Sequence, residues 1–212
     1  MTVEHKKGSA PDRAPRTRRG LRRSEILAAA AALFARKGFH GVSIDDIGAA
    51  VGMSGPGIYR HFPGKEAVLA EMLLDISQRL HAAGGRLAMA APDAAAALDT
   101  LLRWHIDFAL SEPDLITVQS RELAHVPEPA QRQIRRLQRL YVEEWVTVAC
   151  ELFPQAAPSA LRTAVHAVFG LLNSTPHSAS ELPADATAGL LHAMARAALA
   201  AAAVPVPGPA SR

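Results

Sequence analysis

A single cysteine, Cys150, stands among the 212 residues. That excludes an intramolecular disulfide and a cysteine-cluster metal site. Long hydrophobic runs are also missing. The longest, Ile26–Ala35, has ten residues, whereas a membrane-spanning helix needs about 20. No apolar segment follows the basic N-terminus as it would in a secretory signal, so the expected localisation is cytoplasmic. No stretch alternates apolar and polar residues as a half-buried strand does. No two histidines stand four residues apart, and the lone Glu-x-x-His, Glu122 to His125, lacks the second copy that a di-iron bundle requires. Gly52-Met53-Ser54-Gly55-Pro56 fails a nucleophile elbow at its last position and has no preceding strand. No catalytic residue, metal site or cofactor is therefore expected. What is present is 49% hydrophobic and 20% charged, which excludes disorder throughout.

Charge is unevenly placed. Residues 1–23 hold eight basic and two acidic residues, and the other 189 hold 15 basic and 18 acidic. The first 20 residues read as a disordered basic arm, of a kind that neutralises phosphates. A solvated tail without a role fits the same composition. The segment 204–212, with Pro205, Pro207 and Pro209, reads as a disordered tail.

Proline is confined to the borders of long windows at 16–55, 64–91, 93–112, 130–153, 159–175 and 184–204. Helix interiors reject proline, so these windows bound helices. Apolar residues recur in them at helical spacing. Examples are Ile26, Ala30, Leu33 and Phe34; Leu69, Leu73, Ile76 and Leu80; and Ile134, Leu137, Tyr141, Trp145, Val148 and Leu152. Leu161, Val165, Val168 and Leu172 follow, then Leu190, Met194, Ala197 and Ala201. The expectation is an all-α protein of about nine helices.

The first 65 residues carry the sharpest pattern. A helix from about Arg22 to Lys37 stops at Gly38. Ser43, with Asp46 three residues on, caps a short second helix that Gly52 ends. Ser54 is placed to cap a third over Gly55–His61, with Pro56 in its first turn. Two short helices joined by a tight glycine turn make a helix-turn-helix.

The run Ser43-Ile44-Asp45-Asp46-Ile47-Gly48-Ala49-Ala50-Val51-Gly52-Met53-Ser54, then Gly55-Pro56-Gly57-Ile58-Tyr59-Arg60-His61-Phe62 and Lys65-Glu66-Ala67-Val68-Leu69, resembles the TetR-type transcriptional regulators over about residues 20–75. The resemblance implies a DNA-binding domain at 21–66, a ligand-binding and dimerisation domain at 67–203, and no catalysis. It implies phosphate contacts from Tyr59, His61 and Lys65. Ser43 and Ser54 are caps that can also donate to phosphate, and Arg16, Arg18 and Arg19 are candidates from the arm. Pro63-Gly64 departs from the family pattern. Gly55, Pro56 and Gly57 offer the groove little side chain, so base readout should rest on backbone and thymine-methyl contacts.

In the second domain, apolar bulk from Trp104, Phe108, Trp145 and Phe169 accompanies polar groups from His105, Arg121, Glu122, His125, Tyr141 and Asn173. Such a mixture suits a small-molecule site. Arg132, Arg135, Arg136 and Arg139 read as a solvated face, with Arg139 paired to Glu143. Arg121–Val146 and Gly170–Asn173 resemble TetR-type regulators of fatty-acid or acyl-CoA metabolism. The implied function is a homodimeric repressor, paired through helices at about 159–175 and 184–203, that binds a palindromic DNA operator. A small apolar effector, a fatty acyl-CoA or related acid, would release it. The alternative from another class is an all-helical metabolic or stress enzyme whose helix-turn-helix is only structural.

Overall fold

The computed structural model describes residues 18–177 and 182–203. Among them are nine α-helices: α1 Arg18–Lys37, α2 Ile44–Ala50, α3 Gly55–Tyr59, α4 Lys65–Ala90, α5 Ala94–Ser111, α6 Pro113–Glu122, α7 Glu128–Leu152, α8 Pro158–Leu172 and α9 Ala184–Ala201. Short 3-10 turns occupy Leu123–His125 and Thr175–His177, and the described residues contain no strand. None of these helices is long and apolar enough to cross a membrane. The expected tail at 204–212 and Arg16 lie outside the described residues, as does the side chain of Arg18.

The first helix begins at Arg18, four residues earlier than the apolar pattern suggests. Its opening turn is made of arginine and glycine, so no apolar stripe announces it. Ile26, Ala30, Leu33 and Phe34 of α1 are buried against Ile47, Ile58, Phe62 and Val68. Each of these side chains larger than alanine stabilises the fold by about 1.5–3 kcal/mol. The same apolar cluster continues through Leu73 and Ile76 of α4, Leu101 of α5, Trp145 of α7, Val165 of α8 and Leu199 of α9. The DNA-side and body-side cores are therefore one.

Two elements depart from expectation. Helix α6 lay in no proline-free window that was read as helical. Pro113 is its first residue, where a missing N–H costs nothing. In α9 the buried stripe is Leu191, Ala195 and Leu199, one residue on from the expected one, while Leu190 and Met194 are 50% and 45% exposed. Alanine surrounds this helix on every side, so both faces read as apolar and the pattern alone does not fix its rotation.

Candidate nucleic-acid interface and internal cavity

The turn between α2 and α3 is built by its glycines. Gly52 has φ +65°, in the left-handed region that bulky residues avoid. A Cβ at Gly48 would sit 2.7 Å from the Met53 carbonyl oxygen, so α2 can approach the turn only without a side chain there. Ser43 closes a full capping box at the start of α2. Its hydroxyl accepts from the Asp46 N–H at 3.1 Å, and the Asp46 carboxylate accepts from the Ser43 N–H at 2.8 Å. The same carboxylate also accepts from the Ser43 hydroxyl, which holds Asp46 below the usual carboxylate range. Ser54 precedes α3 but makes no side-chain cap bond, which corrects its expected capping role and leaves its hydroxyl exposed.

The exposed face of α3 and its end consists of Pro56, Tyr59 and Arg60, with Tyr59 58% exposed. Gly55 and Gly57 are buried instead. A Cβ at Gly55 would stand 2.1 Å from the Asp45 carboxylate, so this glycine serves packing between the two helices rather than the groove. Arg60 was passed over in the sequence. Its place one turn beyond Pro56 was the available signal.

Two cations brace this unit from behind. Arg23 of α1 donates to both carboxylate oxygens of Glu71 on α4 and to the His61 carbonyl, and its guanidinium lies 4.0 Å from the Phe62 ring centre. Lys65 donates at 3.0 Å to the carbonyls of Phe39 and Val42 and stands 4.4 Å from the Phe39 ring centre. Two of its three ammonium protons are therefore engaged, and Lys65 anchors the start of α4 to the loop after α1. Ser43, Tyr59 and Lys65 border one open groove together with Asp45 and Glu66. Near the end of α3 the field is positive. Partial burial first, and then Arg19, Arg23, Arg60 and Arg22, hold the His61 imidazole below its ordinary pKa.

A cavity of about 540 Å³ opens between α4, α5, α6, α7 and α8, within the range of small-molecule sites. Ser77 and Leu80 of α4, His105 of α5, Tyr141 and Val142 of α7, and Phe169 and Asn173 from the end of α8 line its inner part. Gln119, Arg135, Gln138, Arg139, Arg162 and His166 line it as well. Arg135 and Arg139 are exposed and make no ion pair among the described residues. All four arginines of the cluster are exposed, as a solvated face requires, and two of them also border the cavity. Glu143 pairs with Arg162 across helices rather than with Arg139 along α7, which holds its carboxyl low.

Four of the ten expected ligand residues, His105, Tyr141, Phe169 and Asn173, meet at this cavity. Trp145 and Phe108 are buried behind them and pack against the His105 ring. Trp104 is on the exposed side of α5, and Arg121 is exposed on α6. Glu122 and His125 belong to a different place. The Glu122 carboxylate lies 3.1 Å from His125 Nδ1, and His125 stacks on Phe39 with ring centres 4.9 Å apart. The His125 Nε2 meets the His40 Nε2 at 3.0 Å. These residues join α6 to the loop after α1, a link between the two halves that spacing alone does not reveal.

His105 is wholly enclosed. Its Nδ1 lies 3.4 Å from the Tyr141 hydroxyl and its Nε2 lies 3.1 Å from Asn173 Oδ1. Burial lowers its pKa to about 4, with the Asn173 bond opposing in part. Burial likewise pushes the Tyr141 phenol up. An imidazole that is harder to protonate folded than unfolded stabilises the fold least in acid. The loss begins as pH falls below about 6.5 and levels off below the folded value of about 4, roughly 3 kcal/mol in all. Urea titrations at stepped pH should show this slope, and His105→Gln should flatten it relative to wild type. Identical slopes in the two proteins would mean that His105 does not titrate as described.

Two short helices held at a tight turn, the second exposing one face, define a helix-turn-helix DNA-binding protein. Residues 26–72 match the family described as bacterial regulatory proteins, tetR family. Over this region the chain is similar to the TetR family of transcriptional regulators. It is 27% identical over 105 residues to the HTH-type transcriptional repressor KstR2 of Rhodococcus jostii (strain RHA1), covering 50% of this chain and 52% of that protein. The match thus spans about half the length of that curated relative. The fold is shared with a TetR-family transcriptional regulator from Bordetella parapertussis 12822, at TM-score 0.74 and 24% identity over 82% of this chain and 93% of that one. It is also shared with AibR, whose structure was solved in complex with isovaleryl coenzyme A and operator DNA, at TM-score 0.66 and 20% identity over 82% and 97% of the two chains.

Proposed function

We propose that the chain is a cytoplasmic, homodimeric repressor that binds a palindromic operator and leaves it when an acyl-CoA or a related acid enters the cavity. One observation carries this reading. Helix α4 begins at Lys65 beside the helix-turn-helix and supplies Ser77 and Leu80 to the cavity wall. Those ends are about 18 Å apart at 1.5 Å per residue. A ligand that displaces Ser77 and Leu80 must move a rod whose other end is fastened through Lys65 and through Glu71 to Arg23. The stack of His125 on Phe39 gives the second half another hold on the DNA side.

The effector class follows from the cavity's chemistry. Leu80, Val142 and Phe169 suit an alkyl chain, while Arg135 and Arg139 suit a carboxylate or phosphate. AibR, of the same fold, was solved with an acyl-coenzyme A and DNA. The dimer reading rests on exposed, mostly small residues of α8 and α9: Ala167, Gly170, Gly189, Ala193 and Ala197, with Leu190 and Met194. Small side chains let helices from two protomers approach closely. A two-fold pair then presents α3 to half-sites about 34–36 Å apart.

On DNA, Tyr59, Arg60, His61, Ser43, Ser54, the third proton of Lys65, and Arg16, Arg18 and Arg19 of the basic segment contact phosphate, with Pro56 against the groove. Phosphate reverses the field that now disfavours the protonated His61. Its pKa then rises on binding, the complex takes up a proton, and affinity increases as pH falls from the bound pKa to the free one. Fluorescence anisotropy between about pH 8 and pH 5 should show this rise, and His61→Gln should remove it. A rise that survives His61→Gln assigns the proton elsewhere.

The function itself is tested by a nuclease footprint on the intergenic DNA upstream of the protein's own gene. A protected pseudo-palindrome, bound at least about 1,000-fold tighter than random duplex, is expected. Uniform protection without a sequence ratio would contradict it.

A further inference from the structure

The deep end of the cavity holds polar groups that the arginines do not explain. The Asn173 Oδ1 can only accept a hydrogen bond, so His105 Nε2, which faces it at 3.1 Å, carries the imidazole proton. The neutral ring then accepts at Nδ1, and the group in reach is the Tyr141 hydroxyl at 3.4 Å. The relay runs from Tyr141 through His105 to Asn173.

The consequence lies at the open end of the relay. With Oδ1 taken by His105, Asn173 is left with its amide N–H groups, which bond to none of the described residues, on the wall of the cavity. We propose that Asn173, aligned by His105 and Tyr141, donates to an uncharged carbonyl oxygen on the buried part of the effector. No cation stands beside it in this relay, so a carboxylate there would be left desolvated and unpaired. The anionic end belongs with Arg135 and Arg139, and the neutral oxygen with Asn173. Two carbonyls fit this chemistry: that of a thioester, and that of a ketone further along the chain. A hydrocarbon chain with neither leaves the donor unsatisfied, which a buried site penalises. This inference rests on the effector reading above and narrows it.

Three coenzyme A probes of equal chain length separate the cases by calorimetry on the full chain: the S-octyl thioether, octanoyl-CoA and 7-oxo-octanoyl-CoA. A step of about tenfold in affinity is expected wherever the recognised oxygen appears. It falls between the first two probes if Asn173 reads the thioester, and between the second and third if it reads a ketone. Asn173→Leu should erase the step, so that the three probes bind alike. Tyr141→Phe releases the relay without touching Asn173 and should shrink the step, which covers the case in which Asn173→Leu folds poorly. Equal affinity for all three probes in the wild-type protein overturns the proposal while leaving the acyl-CoA reading standing. A step that persists in both variants overturns it too. Failure of every probe to bind overturns the effector reading and this inference together.

Discussion

Asp at both Leu190 and Met194 should turn the protein into a monomer that has lost its operator. Both side chains are about half exposed on α9, on the face opposite the buried Leu191, Ala195 and Leu199. Carboxylates there cost little in an isolated protomer, because that face meets water. Between two protomers they would bury uncompensated charge. A monomer engages one half-site, so much of the specific binding energy is lost, and affinity should drop by at least about 1,000-fold, towards non-specific values. Sedimentation and gel shift on the same sample give the two readings. Val168 is the wrong place for this experiment although its sequence position suggests it, since it is fully buried inside the protomer. A dimer that survives both substitutions would move the interface away from this face of α9.

The second large effect concerns the cavity's cations. Arg135→Glu with Arg139→Glu should weaken binding of an acyl-CoA by about 100-fold or more, equivalent to about 2.7 kcal/mol, while operator affinity stays within a few-fold of wild type. The two guanidinium groups have no carboxylate partner among the described residues, unlike Arg162 and Arg132, which are paired with Glu143 and Glu128. Their charge is therefore available to a ligand. Both lie on the exposed surface of α7, away from its buried Ile134, Tyr141 and Trp145, so the core should tolerate the change. The expected phenotype is a repressor that no longer responds. Unchanged effector affinity would place the anionic group elsewhere.

The helix-turn-helix was the most legible part of the chain. Gly52, Ser43 with Asp46 and the spacing of Ile47, Ile58 and Phe62 are local signals, and local signals survive in sequence. Contacts between distant segments were not legible. Nothing near Arg23 announces that it holds Glu71 and the His61 carbonyl, 48 and 38 residues away. Periodicity places the arginines of α7 opposite the buried stripe, and they are exposed there. It does not say that α8 closes over that edge with Arg162 and His166 to form a cavity. Glu122 and His125 were correctly read as polar groups in an apolar setting, but they serve the junction with α1 rather than the cavity. In α9, alanine on all sides erased the contrast from which orientation is read.

The central claim is that cavity and operator compete through one conformational equilibrium. It is tested by titrating octanoyl-CoA into the free protein and into the protein saturated with operator. If the effector lowers operator affinity about 100-fold, the operator must lower effector affinity by the same factor, a coupling of about 2.7 kcal/mol. The account predicts that reciprocal loss. Tight binding of equal strength in both titrations would contradict it, because a ligand that binds both states alike shifts nothing.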